Sequence, residues 1–286
     1  MSKNNYRNYK YYYSGDYAQS RSQNHINDRK NIGRSLNFAA REAYKQLRTN
    51  LDFALADVKG CRCIGITSSM RGDGKSLTSI NLSYALAEDG YKVILLEGDM
   101  RIPTLGKKLD INQKNGLSSL LVNGDVIDSV SPLCMMECST GYFDVITAGE
   151  IPPNPQELLG SSRMEELMAF LETVYDYVIV DLPPITAVAD ALVASKVLDG
   201  MLIIVRRNNT ERGALAEAIR QLDFAGSKIL GFVFNAANNE DAGYSRKYRY
   251  RYKYKSYRGY RSGYGYSDYG YRAEKPKEVS KDKIVD

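Results

Sequence analysis

The stretch Ser69-Met70-Arg71-Gly72-Asp73-Gly74-Lys75-Ser76 holds most of the pattern G-x-x-x-x-G-K-[ST], with Ser69 where its first glycine would stand. Glycines in such a loop let backbone N–H groups curl around phosphate oxygens, and a helix that follows turns its positive end toward them. The pattern predicts that Arg71, Gly72, Asp73, Gly74, Lys75, Ser76 and Leu77 line a nucleoside triphosphate, ATP in the simplest case. Lys75 would reach the β- and γ-phosphates, and the Ser76 hydroxyl would ligate Mg²⁺. The bland alternative is a glycine turn bearing a solvated lysine. It leaves three acids further along the chain unexplained.

Those acids close apolar runs. Asp181 ends "YVIVD", the position from which an aspartate holds Mg²⁺ in phosphate-loop enzymes. Glu97 and Asp99 end "VILLEGD". In an extended chain residues 97 and 99 share one face, and a doubly wound pattern would put their strand beside the one that enters the phosphate loop. One acid at a strand end is ordinary surface. Three along the C-terminal edge of one sheet, where such folds bind ligands, read as a metal and proton-transfer site. The metal set is then Ser76, Glu97, Asp99 and Asp181, and the catalytic set Lys75, Glu97, Asp99 and Asp181.

Positioning these groups requires a sheet. "CIGIT", "VILLEGD", "FDVITAG", "YVIVDLP", "MLIIVRR" and "ILGFVFN" are continuously apolar and rich in β-branched residues, as strands covered on both faces should be. Between most of them lie helical patterns: "SLTSINLSYALAEDG", "SRMEELMAFLETVY", "DALVASKVLDG" and "ERGALAEAIRQLDFAG", three of which end on a glycine, two of them near the expected C-cap. This alternation predicts an α/β fold with a doubly wound, mostly parallel sheet flanked by helices. Ahead of it, "NFAAREAYKQLRTNLDFA" predicts an amphipathic helix with Ala43, Leu47, Leu51 and Ala54 on its apolar face.

Charge is segregated within the 286 residues. Residues 1–34 carry seven Lys and Arg against two acids, and residues 241–272 carry nine against two. The globule between them is mildly acidic. The expected organisation is a disordered basic arm (1–35), a phosphate-loop domain (36–240, its first helix in 36–57) and a disordered tail (241–286). Cys61, Cys63, Cys134 and Cys138 match no common zinc spacing and read as free thiols of a reducing compartment. No apolar run approaches the ~20 residues of a membrane span.

With these motifs in place, the chain resembles the bacterial tyrosine kinases (BY-kinases) of capsule and exopolysaccharide synthesis, relatives of the MinD/ParA-type ATPases. "ITSSMRGDGKS" is similar to the family's phosphate loop, "VILLEGDMRIP" to its second Walker A motif and "YDYVIVDLPP" to its Walker B motif. "REAYKQLRTNL" resembles its oligomerisation signature, and "AGEIPPNPQELLGS" its Pro-Asn-Pro loop. There are departures. Arg71 stands at a usual proline, Asp73 at a common glutamate, Glu97 at a frequent aspartate and Lys45 at a frequent arginine, while Met70 replaces the extra lysine of MinD-type ATPases. The resemblance implies a ring-type homo-oligomer through Glu42, Lys45 and Arg48. Asn235 would read the adenine edge, or be a plain strand-ending turn residue. The resemblance also implies a separate transmembrane adaptor, a cognate phosphotyrosine phosphatase and a cytoplasmic location at the inner face of the membrane. It favours Asp99 over Glu97 as acceptor of the phenol proton.

The tail then acquires a use. Residues 244–271 hold eleven tyrosines (Tyr244, Tyr248, Tyr250, Tyr252, Tyr254, Tyr257, Tyr260, Tyr264, Tyr266, Tyr269 and Tyr271), many alternating with Lys or Arg and with no Leu, Ile, Val or Phe. Phosphoryl transfer from ATP to these phenols, between subunits, is the expected chemistry. Each phosphotyrosine brings about −1.5 to −2 charge, so roughly four would cancel the tail's positive charge. A second cluster, Tyr6 to Tyr17, is either further substrate or a sticky basic arm. A eukaryotic-type kinase is excluded, because His25 is the only histidine and is followed by Ile26, and no D-F-G occurs. Two rivals are a positioning ATPase without a tyrosine acceptor and a basic-tailed binder of anionic polymers. No specific nucleic-acid module is present.

Overall fold

A computed structural model describes residues 32–111, 114–123 and 134–237. The basic arm up to residue 31 and the tyrosine-rich tail, with all eleven candidate acceptors, lie outside the described residues.

Seven strands form one sheet: β1 (Arg62–Ser68), β2 (Val93–Glu97), β3 (Cys134–Glu137), β4 (Tyr142–Ile146), β5 (Tyr177–Asp181), β6 (Gly200–Arg206) and β7 (Ile229–Asn235), in spatial order β3-β4-β2-β5-β1-β6-β7. All neighbours pair in parallel except the edge hairpin β3–β4. The central strands are buried almost throughout, Arg62 at the start of β1 excepted, because helices cover both faces. On one face α1 (Phe38–Ala54) and α2 (Lys75–Glu88) bury Leu51, Leu55, Ile80, Leu82 and Leu86 against Ile64, Leu95 and Ile179. On the other, α6 (Ser162–Glu172), α7 (Asp190–Ala194) and α8 (Arg212–Phe224) pack Leu167, Leu171, Ala194, Ala218 and Leu222 against Ile94, Val178 and Ile203. Short helices α3 (Leu105–Leu109), α4 (Leu117–Asn123) and α5 (Pro155–Leu159) join the layers. The expected glycine stops fall where α2 and α8 end, at Gly90 (φ +94°) and Gly226 (φ +69°).

Four expectations change. β2 does not lie beside β1, because β5 is inserted between them and pairs with both. The inserted strand is the one carrying Asp181, so Glu97 is Asp181's register partner on one side and Ile66 on the other. β7 is an edge strand rather than a covered one, with Phe232 and Phe234 half exposed. The inward face of α1 runs through Tyr44, Leu47, Arg48, Leu51 and Leu55, leaving Ala43 outside. Tyr44 decides that rotation, since its buried hydroxyl reaches Thr78 and Asn81 of α2. Finally, residues 33–35 at the end of the supposed arm form a 3₁₀ turn held on α2, with Gly33 N donating to Asn81 Oδ1 at 2.8 Å.

Candidate active site

β1 delivers the chain into the phosphate loop, and α2 begins at Lys75 with Gly74 as its N-cap in the left-handed region (φ +99°). A side chain at Gly74 would be strained there. Its Cβ would also come within 2.1 Å of Asn235 Nδ2, so only glycine fits. Gly72 likewise sits at φ +82°.

The loop's carbonyl groups all point to donors outside the site. Ser69 O accepts from Thr186 Oγ1 (2.5 Å), Met70 O from Ser68 Oγ (2.6 Å), and Arg71 O from Asn209 Nδ2 (3.0 Å). Gly72 O accepts from an Arg206 guanidinium nitrogen (2.6 Å) and Asp73 O from Asn235 Nδ2 (2.9 Å). Among the described residues, no hydrogen-bond partner is found for the N–H groups of Arg71, Gly72, Asp73, Gly74 and Lys75. The Ser69 hydroxyl is fully buried and also unpartnered. Buried orphan donors are rare in folded proteins, and the Ser69 hydroxyl is one. With Arg71 and Gly72 at the surface, an open row of N–H groups leading into a 14-residue helix suits the oxygens of a triphosphate.

Asp73 is the exception to this polarity, a fully buried acid inside a loop lined with N–H groups. It is turned away from the cradle. Oδ1 accepts from Asn209 Nδ2 (2.7 Å) and Thr210 Oγ1 (2.8 Å), and Oδ2 accepts from Met70 N (3.2 Å).

Lys75 is almost fully buried, and its ammonium acts as a nearby positive charge on both Asp99 and Asp181. Asp181 has almost no access to water. Burial pushes its carboxyl up to about 7, against the pull of Lys75 and a hydrogen bond from Ser76. Ser79 Oγ donates to it at 3.2 Å, and Thr104 Oγ1 donates to Ser76 Oγ at 3.1 Å. Ser76, Asp181 and Thr104 thus form one polar chain beneath the loop. Asp99 is also raised by burial, with Lys75 and Arg71 opposing the shift and Asp190 adding to it.

Glu97 and Asp99 do not share a face as an extended chain would place them. β2 stops at Glu97, and both Gly98 N and Asp99 N turn onto the carbonyl of Asp181 (2.8 and 3.0 Å). The Glu97 carboxylate accepts from Thr104 N, Leu105 N and Ala148 N (2.5, 2.6 and 3.0 Å). Burial raises its pKa while these N–H groups lower it. With three of about four acceptor sites committed, Glu97 anchors α3 and the loop after β4. Among the described residues, Asp99 accepts only Ile102 N, at 3.2 Å.

Four contributors escaped the sequence motifs. Thr186, Arg206, Asn209 and Thr210 reach the loop from the segment after β5 and from the end of β6 and the turn beyond it, and nothing in their local spelling marks them. Asn235 was expected either at the adenine edge or as a plain strand-ending turn residue. In this conformation its amide bonds the loop, and its Oδ1 accepts Ala236 N (2.8 Å). Of the oligomerisation set, Glu42 and Lys45 pair with each other on the exposed face of α1 (2.8 Å). Arg48 instead turns inward to Ala85 O (3.1 Å) and Asp89 (3.2 Å) at the end of α2. All four cysteines are free thiols.

A family model described as AAA domain matches residues 61–223. Tyrosine-protein kinase YwqD of Bacillus subtilis (strain 168) is 38% identical over 194 residues, covering 68% of this chain and 80% of that protein. The chain belongs to the bacterial tyrosine-protein kinases. The putative tyrosine-protein kinase CapB of Staphylococcus aureus is 33% identical, over 68% of this chain and 83% of its own length. Among solved structures, the kinase domain of Escherichia coli tyrosine kinase ETK superposes with a TM-score of 0.62 at 32% identity, covering 70% of this chain and 78% of that one. The chimerical protein CapA2B2 also gives 0.62, at 34% identity, covering 68% and 84%. The modified phosphate loop therefore sits in a kinase framework. No helix among the described residues is long and apolar enough to cross a membrane.

Proposed function

We propose that the chain is an ATP- and Mg²⁺-dependent protein-tyrosine kinase whose principal acceptor is its own tail, Tyr244 to Tyr271, phosphorylated between subunits. The observation that carries this reading is the coincidence of an N–H-lined loop with Asp99 and Asp181 under the charge of Lys75, in a chain of this family.

Residue roles follow from the geometry. The free N–H groups of residues 71–75 and the Lys75 ammonium hold phosphate oxygens, and Ser76 and Asp181 hold the cation. Mg²⁺, when bound, screens the charge that develops on the transferring phosphoryl group. The phenol oxygen attacks the γ-phosphorus as the bond to the β–γ bridging oxygen breaks. Asp99, which accepts a single backbone N–H, takes the phenol proton. A carboxylate is a weak base toward a phenol of pKa about 10, so this transfer is late and alignment supplies most of the acceleration. Glu97 acts indirectly, by fixing the segment that follows Asp99.

Further expectations carry over from the family. They are a ring-type assembly through Glu42, Lys45 and Arg48, a separate transmembrane adaptor, a cognate phosphatase, and regulation of capsule or exopolysaccharide export at the inner face of the membrane. The half-buried, anchored Arg48 leaves Glu42 and Lys45 as the more accessible members of that helix face.

The test uses labelled ATP with phosphotyrosine detection. A full-length Lys75→Met chain mixed with an active chain lacking residues 241–286 should become labelled on its tail. Absence of label on the Lys75→Met chain would refute transfer between subunits. Replacing all eleven tail tyrosines by Phe should remove most label from the full chain, and undiminished labelling would refute the tail as acceptor.

A further inference from the structure

We propose that Thr186, Arg206 and Asn209 are positioning residues for the phosphate loop. By gripping its carbonyl oxygens from outside, they hold its N–H groups turned inward. This rests on the reading of the loop as a nucleotide site and names side chains that no motif includes.

Successive peptide units in a tight loop can present either their oxygens or their N–H groups to a central point. Unrestrained, they present both, and every carbonyl facing inward repels a phosphate. Here five consecutive carbonyls, Ser69 to Asp73, are each held by a side-chain donor. Ser68 is local, but the other four come from 117 to 162 residues further along the chain. Thr186 follows β5, Arg206 ends β6, Asn209 lies in the turn before α8, and Asn235 ends β7. Three strand ends thus converge on one short loop. Asn209 has a double function, since the same Nδ2 that holds Arg71 O also reaches Asp73 Oδ1, keeping that acid out of the cradle. Thr210 supports it there and also accepts from Arg206 N (2.8 Å), which ties the three loop-facing residues of this turn together.

The consequence is a preset polarity. Donors already aimed at an absent anion need no reorientation when it arrives, and affinity rises because the ordering is complete beforehand. The unpartnered N–H row and the buried orphan Ser69 hydroxyl are what such presetting leaves behind.

The experiment measures binding of ADP and of a non-hydrolysable ATP analogue with Mg²⁺ to the full chain by calorimetry. Thr186→Val and Asn209→Ala remove neutral donors, so any effect is not a lost charge. Thr186→Val should weaken nucleotide affinity by about five-fold, the typical net worth of one hydrogen bond, and Asn209→Ala, which loses two, by about 25-fold. Their combination should be roughly multiplicative if the two grips act independently. KM for ATP should rise in step while kcat at saturating ATP stays within about two-fold of the parent. Thr186→Ser should restore the parent affinity. Thr173→Val removes a hydroxyl-to-carbonyl bond of the same kind at the end of α6 and should change nothing. Variants that bind as tightly as the parent overturn the proposal, as do losses in affinity that merely track a lowered melting temperature of the free chain or that Thr186→Ser fails to restore. A parent chain that binds neither nucleotide overturns the reading of the site as well.

Discussion

Asp181 carries its carboxyl in a place with almost no water, and the penalty for ionising it there is measurable as stability. The side chain is 1% exposed, and its pKa is pushed up to about 7 from an ordinary 3.8. Below pH 3.8 the group is neutral in both folded and unfolded chains. Between 3.8 and 7 only the folded chain keeps the proton, so unfolding releases it and stability falls as pH rises. Above 7 the whole penalty is present. Three pH units correspond to about 4 kcal/mol at 1.36 kcal/mol each, an upper bound for a group whose surroundings relax. Asp181→Asn removes the charge and keeps an oxygen for the Ser76 and Ser79 hydroxyls. Urea denaturation without nucleotide or Mg²⁺ should therefore find the variant more stable than the parent at pH 8. Its advantage should shrink by about 3 kcal/mol on going to pH 5. The variant should also lose the stabilisation that Mg²⁺ with nucleotide gives the parent. An advantage that is the same at both pH values, or none at pH 8, would refute the account of Asp181 as a desolvated acid awaiting a cation.

Three further outcomes follow from the geometry around it. Asp190 is fully buried and grips Arg101 through two bonds of 2.8 and 3.0 Å. Arg101→Gln should cost about 3 kcal/mol by stranding that charge, while the double variant Arg101→Met, Asp190→Leu should recover most of it in urea denaturation. Gly74→Ala should abolish nucleotide binding measured by calorimetry. Adding Asn235→Ala clears the 2.1 Å clash but leaves the left-handed backbone, so recovery should be partial. Arg48→Ala should lower the melting midpoint even at concentrations where light scattering reports a monomer. It frees the end of α2 and loses contacts worth about 1–2 kcal/mol. An effect seen only in the assembled state would place Arg48 at the subunit interface instead.

Legibility of this chain follows how far each signal travels along it. Strands β1, β2, β5 and β6 were readable because burial on both faces leaves an unbroken β-branched run, and the loop and helix after β1 because glycine, lysine and serine act within eight residues. The order of strands was not readable. Nothing in "VILLEGD" records that β5 will separate it from β1, yet that insertion is what brings Glu97 and Asp181 into register and lets the Asp181 carbonyl turn the chain at Gly98.

The two acids of that motif, two residues apart and alike in type, are then sorted by what the fold offers them. Glu97 is the one whose extra methylene lets it reach the N–H groups of Thr104, Leu105 and Ala148. A glutamate at 97 is thus compatible with a scaffold role there and a free carboxylate at 99. The longer side chain serves the scaffold, and the less committed Asp99 stays beside Lys75. Glu97→Gln separates these roles. An amide keeps one acceptor oxygen but presents donors to N–H groups, so it should lower stability by about 1–3 kcal/mol. Asp99→Asn should not lower stability at neutral pH, because burial disfavours the charge it removes, and should remove transfer. Equal losses of labelling with no loss of stability in either variant would return Glu97 to the reacting centre.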